Sequence, residues 1–178
     1  IFHEAVTFNQ TINNMITSGF SSMSDMFKGA TSFKQPIGKW NTSNINNMSS
    51  LFNNANSFIQ DISIWDVRGV TNFDLFLSNS GLVSDNYDRL LNSWSEQNVK
   101  LGLTFGADGV YYCNAGAARN KLSTTYTWTI NDAGQNCPPF NIDLDNTEID
   151  ENTTEVGTIT AEDEETSSLI YTLVPGQG

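Results

Sequence analysis

The chain has 178 residues, 16% of them charged, with eight Lys+Arg against twenty Asp+Glu and a formal net charge of −12. That balance excludes the basic face a nucleic-acid partner requires, and no apolar run approaches the ~18 residues of a membrane span. The length accommodates one or two domains and a core that does not depend on disulfides.

The charge is unevenly placed. Residues 1–137 hold all eight basic residues and ten acids, whereas 138–178 hold ten acids and no base. Two different modules are expected. The first residue is Ile1, inside a repeat, so an excised piece of a longer protein with further domains is expected. The lack of a signal peptide then says nothing about location.

Residues 1–81 repeat every 25 positions. Five columns are identical: Phe2/Phe27/Phe52, Ala5/Ala30/Ala55, Phe8/Phe33/Phe58, Gln10/Gln35/Gln60 and Ile12/Ile37/Ile62. Softer columns keep the period, among them Met23/Met48/Phe73, Ile1/Met26/Leu51/Phe76 and Met15/Trp40/Trp65. Within a unit, Phe27, Ala30 and Phe33 recur every third residue, which suits a short helix or 3₁₀ turn. Gln35-Pro36-Ile37 through Trp40 reads as a short strand, since Pro36 would break a helix. Thr42-Ser43-Asn44 reads as a turn. One turn plus one strand per unit, stacked in register, predicts an α+β repeat solenoid. The alanine column marks where adjacent units approach closely.

Beyond Asp74 the period fades. Residues 86–97 predict an amphipathic helix burying Tyr87, Leu90, Leu91 and Trp94. Leu101, Leu103 and Phe105 alternate as a strand, Gly106-Ala107-Asp108-Gly109 reads as a turn, and Val110-Tyr111-Tyr112 extends again. Ala115–Leu122 predicts a second helix, and Tyr126, Trp128 and Ile130 a last strand. Residues 82–137 are therefore expected to be a C-terminal cap. Cys113 and Cys137 both fall there. They read as a disulfide, a metal pair or two free thiols. A metal pair would need further N/S ligands, and the single histidine, His3, is distant in the chain. The disulfide is the expected state, worth roughly 3–4 kcal/mol for this loop length.

No catalytic constellation is evident: there is one histidine, no nucleophile motif and no Gly-rich phosphate loop. Trp40 and Trp65 admit two readings. They could form an aromatic ladder contacting a ligand, with rings roughly 5 Å apart on adjacent units. They could equally be a core column, and Met15 in the same slot favours packing. The polar columns Ser18/Ser43 and Asn47/Asn72 are surface candidates too, or else satisfy turn hydrogen bonds.

The unit Met26-Phe27-Lys28-Gly29-Ala30 through Phe33-Lys34-Gln35-Pro36-Ile37 to Trp40 and Asn47-Met48-Ser49-Ser50 resembles the repeat of BspA-like bacterial surface proteins, a variant leucine-rich repeat. Residues 86–137, with Phe105-Gly106-Ala107-Asp108-Gly109 and the paired cysteines, resemble the segment closing such arrays in Bacteroidota. The resemblance implies an extracellular or cell-surface protein, adhesin-like, recognising a protein or glycan through its repeat face. It also implies export by secretion machinery such as the type nine system.

The tail carries a second resemblance. Asn136-Cys137-Pro138-Pro139-Phe140, Ile149-Asp150-Glu151-Asn152, Ala161-Glu162-Asp163-Glu164-Glu165 and Ile170-Tyr171-Thr172-Leu173 are similar to the first half of a cadherin-type repeat. The resemblance implies a truncated all-β sandwich over 138–178 and calcium as cofactor. Asp132 and Asn136 match the linker ligands, Asp163 and Glu165 the Asp-x-Asp pair, and Glu151 the glutamate serving the next linker. Gln135 and Glu165 depart from the usual Asp. The expectation is a leucine-rich-repeat-like solenoid over 1–81, a cap over 82–137 and a half-sandwich over 138–178, acting in binding. The rival reading is a structural spacer or accessory module of a larger secreted protein.

Overall fold

The computed structural model describes residues 1–137 and the backbone of 159–163 and 166–171. The chain forms two units, Ile1–Asn136 and Cys137–Gly178.

The repeats are built from turns. In the second unit Met26, Ala30, Phe33, Trp40 and Ile45 donate their N–H groups to the carbonyls three residues back, those of Met23, Phe27, Ala30, Ile37 and Thr42 respectively. Each is a β-turn bond. Alternate N–H groups turn instead to the next unit. Met23, Asp25, Phe27 and Gly29 donate to Asn47, Ser49, Leu51 and Asn53 at 2.8–3.0 Å, and Met48, Ser50, Phe52 and Asn54 donate to Asn72, Asp74, Phe76 and Ser78 in the same way. This division between local and inter-unit bonds accounts for the three-residue apolar spacing: each turn delivers one side chain inward.

The expected short helix and strand of each unit do not form. Two backbone positions per unit are left-handed: Asp25, Ser50 and Leu75 at φ 53–55°, and Glu4, Gly29, Asn54 and Asn79 at φ 56–69°. Left-handed residues at that spacing interrupt both a right-handed helix and an extended strand. Only single bridges remain, Ser22 with Asn47 and Asn47 with Asn72.

The regular elements lie after the repeats. They are α1 (Ser84–Ser95), β1 (Thr104–Ala107), α2 (Gly116–Thr124) and β2 (Thr129–Asp132), with β3 (Ile159–Asp163) and β4 (Thr166–Tyr171) in the tail. Helix α1 buries Tyr87, Leu90, Leu91 and Trp94, the face its periodicity predicts. Strand β1 includes Gly106 and Ala107, which the sequence reading placed in a turn. It continues the inter-unit bonding, since Leu77 and Asn79 donate to Gly106 and Asp108. The interval grows from 24 to 29 residues because α1 is inserted. Strands β1 and β2 are parallel and pair Thr104 with Thr129 and Ala107 with Asp132, an offset of 25 again. Strands β3 and β4 form an antiparallel pair.

The expected fold is thus corrected. Neither a leucine-rich-repeat solenoid nor an all-β sandwich is present among the described residues. They show a mixed α/β arrangement of two helices and a two-stranded parallel sheet beside a turn-built repeat region, and a two-stranded hairpin in the tail. No helix among them is long and apolar enough to cross a membrane.

The core follows the constant columns. Phe27, Phe33, Phe52 and Phe58 are fully buried. Phe27 stacks on Phe52 at 5.7 Å and Phe33 on Phe58 at 6.2 Å, with nearly parallel ring planes in both cases. Ala30 and Ala55 are fully buried as well. Both cysteines are disulfide-bonded, and the chain has no others.

Candidate functional site

A shallow depression of about 400 Å³ crosses three successive units. All of its residues but Gln60 come from positions that the repeat does not keep constant. Where the buried columns repeat Phe, Ala and Ile, these columns read Thr11/Pro36/Asp61, Asn13/Gly38/Ser63 and Asn14/Lys39/Ile64. Asn13, Pro36, Gly38, Lys39, Gln60, Asp61 and Ile64 line the depression. Gly38 sits at a point of close approach: a Cβ there would lie 2.6 Å from the Asp61 carbonyl oxygen. Ile64 is 73% exposed.

Polar groups in the depression are partly committed. Gln60 donates its amide to the Lys34 carbonyl at 2.9 Å. Asp61 accepts the Ser63 N–H at 2.9 Å and faces the Arg89 guanidinium at 3.4 Å. Burial pushes the Asp61 carboxyl up, but the Ser63 hydrogen bonds and Arg89 together outweigh it and hold its pKa below the usual carboxylate value. Lys39 is exposed and, among the described residues, makes no ion pair. The depression therefore offers one unpaired cation, one neutralised carboxylate and two apolar surfaces, Pro36 and Ile64. That is a recognition chemistry, with one charge to orient a ligand and apolar area to hold it.

Trp40 and Trp65 are not part of it. They are 5% and 1% exposed, so the aromatic-ladder reading fails. Each indole N–H donates to a carbonyl 28 residues earlier, Trp40 to Ile12 at 3.2 Å and Trp65 to Ile37 at 3.3 Å. Burying an indole requires such a partner. Trp128 does the same with Lys100 at 2.8 Å, which makes it a third member of the set. No sequence signal marks Trp128, since its acceptor is a backbone carbonyl and Leu103 occupies the place 25 residues before it. The polar columns satisfy turns. Asn47 accepts the Ser49 N–H and Asn72 the Asp74 N–H, while Ser43 donates to Asn41.

Asp132, expected as a calcium ligand, is occupied. Its side chain is 1% exposed. Oδ2 accepts from the Tyr87 hydroxyl at 3.0 Å and Arg119 Nε at 2.8 Å, and Oδ1 from Arg119 Nη2 at 2.9 Å and the Gly134 N–H at 3.2 Å. All four acceptor positions are filled, so the residue does not fit a metal. The Arg119 cation also lies 5.5 Å from the Tyr112 ring centre. The cluster ties α1, α2 and β2 together. Asn136 is exposed and donates its backbone N–H to Tyr112. Asp163 ends β3, while Glu151 and Glu165 lie outside the described residues. No group of three or more His, Cys, Asp or Glu is assembled among the described residues.

Sequence reasoning missed Asp88. It is nearly buried on α1 and accepts three consecutive backbone N–H groups, from Cys113, Asn114 and Ala115, at 2.8–3.1 Å. These groups lead into α2, whose own N-cap residue, Ala115, supplies no side-chain bond. A polar residue next to an apolar helix stripe gives no signal of such a distant role.

One family matches the chain, described as "Mycoplasma protein of unknown function, DUF285", over residues 1–94. No match is found among curated proteins or among solved structures. The likeness of the tail to a cadherin-type repeat and of the chain to Bacteroidota proteins thus receives no support from these comparisons.

Proposed function

The chain belongs to the DUF285 family, and from that premise we propose that it is a BspA-like surface binding protein. It recognises an extracellular protein or glycan through the depression at Lys39 and Ile64. One observation carries this reading. The Phe, Ala and Ile columns of the repeat are constant across three units, while three of the columns lining the depression, those of Pro36/Asp61, Asn13/Gly38 and Lys39/Ile64, differ in every unit and only that of Gln60 is constant. A repeat serving only as a rod needs no such contrast beside an exposed isoleucine and an unpaired lysine. In this reading residues 1–81 supply the binding surface, 82–137 close it, and 138–178 form a separate module. Contacts at a single unit would be weak, and multivalent display supplies avidity.

The test is a screen of the full chain against arrayed extracellular proteins and glycans, repeated with Lys39→Glu and Ile64→Asp. Both side chains are exposed, so the variants should fold normally. Saturable binding that falls at least about tenfold in either variant supports the proposal, as expected for a contributing contact. Absence of any binding by the folded chain favours the spacer reading. Binding unaffected by both variants places recognition elsewhere.

A further inference from the structure

The charge left open at the depression is opposite in sign to that of the chain. The net charge is −12, yet the one carboxylate lining the depression, Asp61, is already paired with Arg89 at 3.4 Å. Lys28 and Arg68 are likewise paired, with Asp25 and Asp66. Lys34 and Lys39 are exposed and make no ion pair among the described residues. They bracket the stretch whose Pro36, Gly38 and Lys39 line the depression. A positive spot of this kind on an acidic chain selects an anionic partner.

The lining narrows the class of that partner. None of the residues lining the depression is aromatic, and Trp40 and Trp65, which follow Lys39 and Ile64 in the chain, are buried. A sugar ring finds no flat face to stack on there, whereas Pro36 and Ile64 offer aliphatic surface to an aliphatic side chain. The N–H groups of Gly38, Lys39 and Ile64 have no backbone acceptor among the described residues, as a peptide laid beside them would require. Spacing then sets the pattern. Lys39 and Ile64 occupy the same column of adjacent units. Adjacent units lie 5.7–6.2 Å apart where Phe27 meets Phe52 and Phe33 meets Phe58. In an extended peptide, side chains i and i+2 share a face at about 6.6 Å, while i and i+1 point apart. A peptide running across the units thus sets a carboxylate on Lys39 and an aliphatic side chain on Ile64 when one residue separates the two.

We propose that the depression takes an extended acidic segment of a protein, in which an Asp or Glu and an aliphatic residue are separated by one residue. This rests on the depression being the recognition surface and names the partner it receives there. A carboxylated glycan carries the same anion without the aliphatic side chain, and the experiment separates the two.

The experiment adds a labelled peptide of repeated Thr-Glu-Thr-Val blocks to the full chain and follows anisotropy and amide chemical shifts. Saturable binding is expected, with shifts at Gly38, Lys39 and Ile64. Binding should weaken by about tenfold or more with Lys39→Glu, with Gln for Glu in the peptide, and with the blocks reordered as Thr-Thr-Glu-Val, which sends the two side chains to opposite faces. The Lys39→Glu chain should in turn bind the peptide that carries Lys for Glu, a rescue that a misfolded variant would not give. No binding of the peptide, or equal binding of the reordered one, would overturn the proposed partner. Saturable binding of polygalacturonate that Lys39→Glu abolishes, with none of the peptide, would overturn the partner class and leave the depression as the recognition surface. Peptide binding untouched by both Lys39→Glu and Ile64→Asp would overturn the depression itself.

Discussion

Replacing Asp88 by alanine should be one of the most damaging single changes in residues 1–137. The carboxylate is 7% exposed and takes the N–H groups of Cys113 and Ala115 on Oδ1 and of Asn114 on Oδ2. Truncation leaves all three unpaired. Asn114 is exposed and can turn to water, but Cys113 and Ala115 are buried. Two stranded buried donors cost about 1–3 kcal/mol each, so a loss of roughly 3–4 kcal/mol is expected. For a domain of this size that lowers Tm by about 12 °C. Asp88→Asn retains one acceptor oxygen, and should lose roughly half as much. Thermal and urea denaturation followed by circular dichroism would measure both, and amide exchange would show protection lost at Cys113 and Ala115 first. A loss under about 0.5 kcal/mol for Asp88→Ala would refute the reasoning.

Gly106→Ala should destabilise strongly, because the added Cβ would overlap the Leu75 backbone nitrogen and lie 2.5 Å from its Cα; a denaturation midpoint equal to that of the parent would show that β1 sits farther from the repeats. Leu75→Asn should raise stability by roughly 0.5–1 kcal/mol, since the backbone there is left-handed at φ 55° and asparagine tolerates that region better; a lower Tm would count against it. Tyr87 is predicted to make stability fall at high pH. Burial first, and then the Asp132 carboxylate, push its hydroxyl well above the ordinary tyrosine value. The unfolded chain therefore loses this proton first, so the contribution is complete below pH about 10 and is lost as pH rises toward the folded value. Urea midpoints between pH 8 and 11 should decline less steeply in Tyr87→Phe, and identical slopes would contradict the assignment.

The parts of this fold that were legible in the sequence are those that repeat. Five identical columns disclose the period, and the Phe and Ala columns are buried because every unit needs the same interior. The α1 face of Tyr87, Leu90, Leu91 and Trp94 was legible for the same reason, as a regular apolar stripe. Backbone handedness was not. Glu4, Asp25, Ser50 and Leu75 share left-handed geometry without sharing a residue type that advertises it. The return of the 25-residue offset between β1 and β2 was hidden by the insertion of α1. Asp132 reads as a metal ligand because it matches a linker ligand of the cadherin-type resemblance, and nothing in the sequence marks Arg119, which reaches it from α2, as its partner. The depression is the converse case. Apart from Gln60 its residues vary from unit to unit, and variation has no pattern until the structure brings the columns together.

The most direct test of the account exchanges two of those residues, as Lys39→Ile with Ile64→Lys. Composition and net charge are unchanged, both sites are exposed, and the constant columns are untouched. The account predicts an unaltered Tm with ligand binding reduced at least about tenfold. Binding equal to that of the parent chain would contradict the claim that the varying columns form the recognition surface.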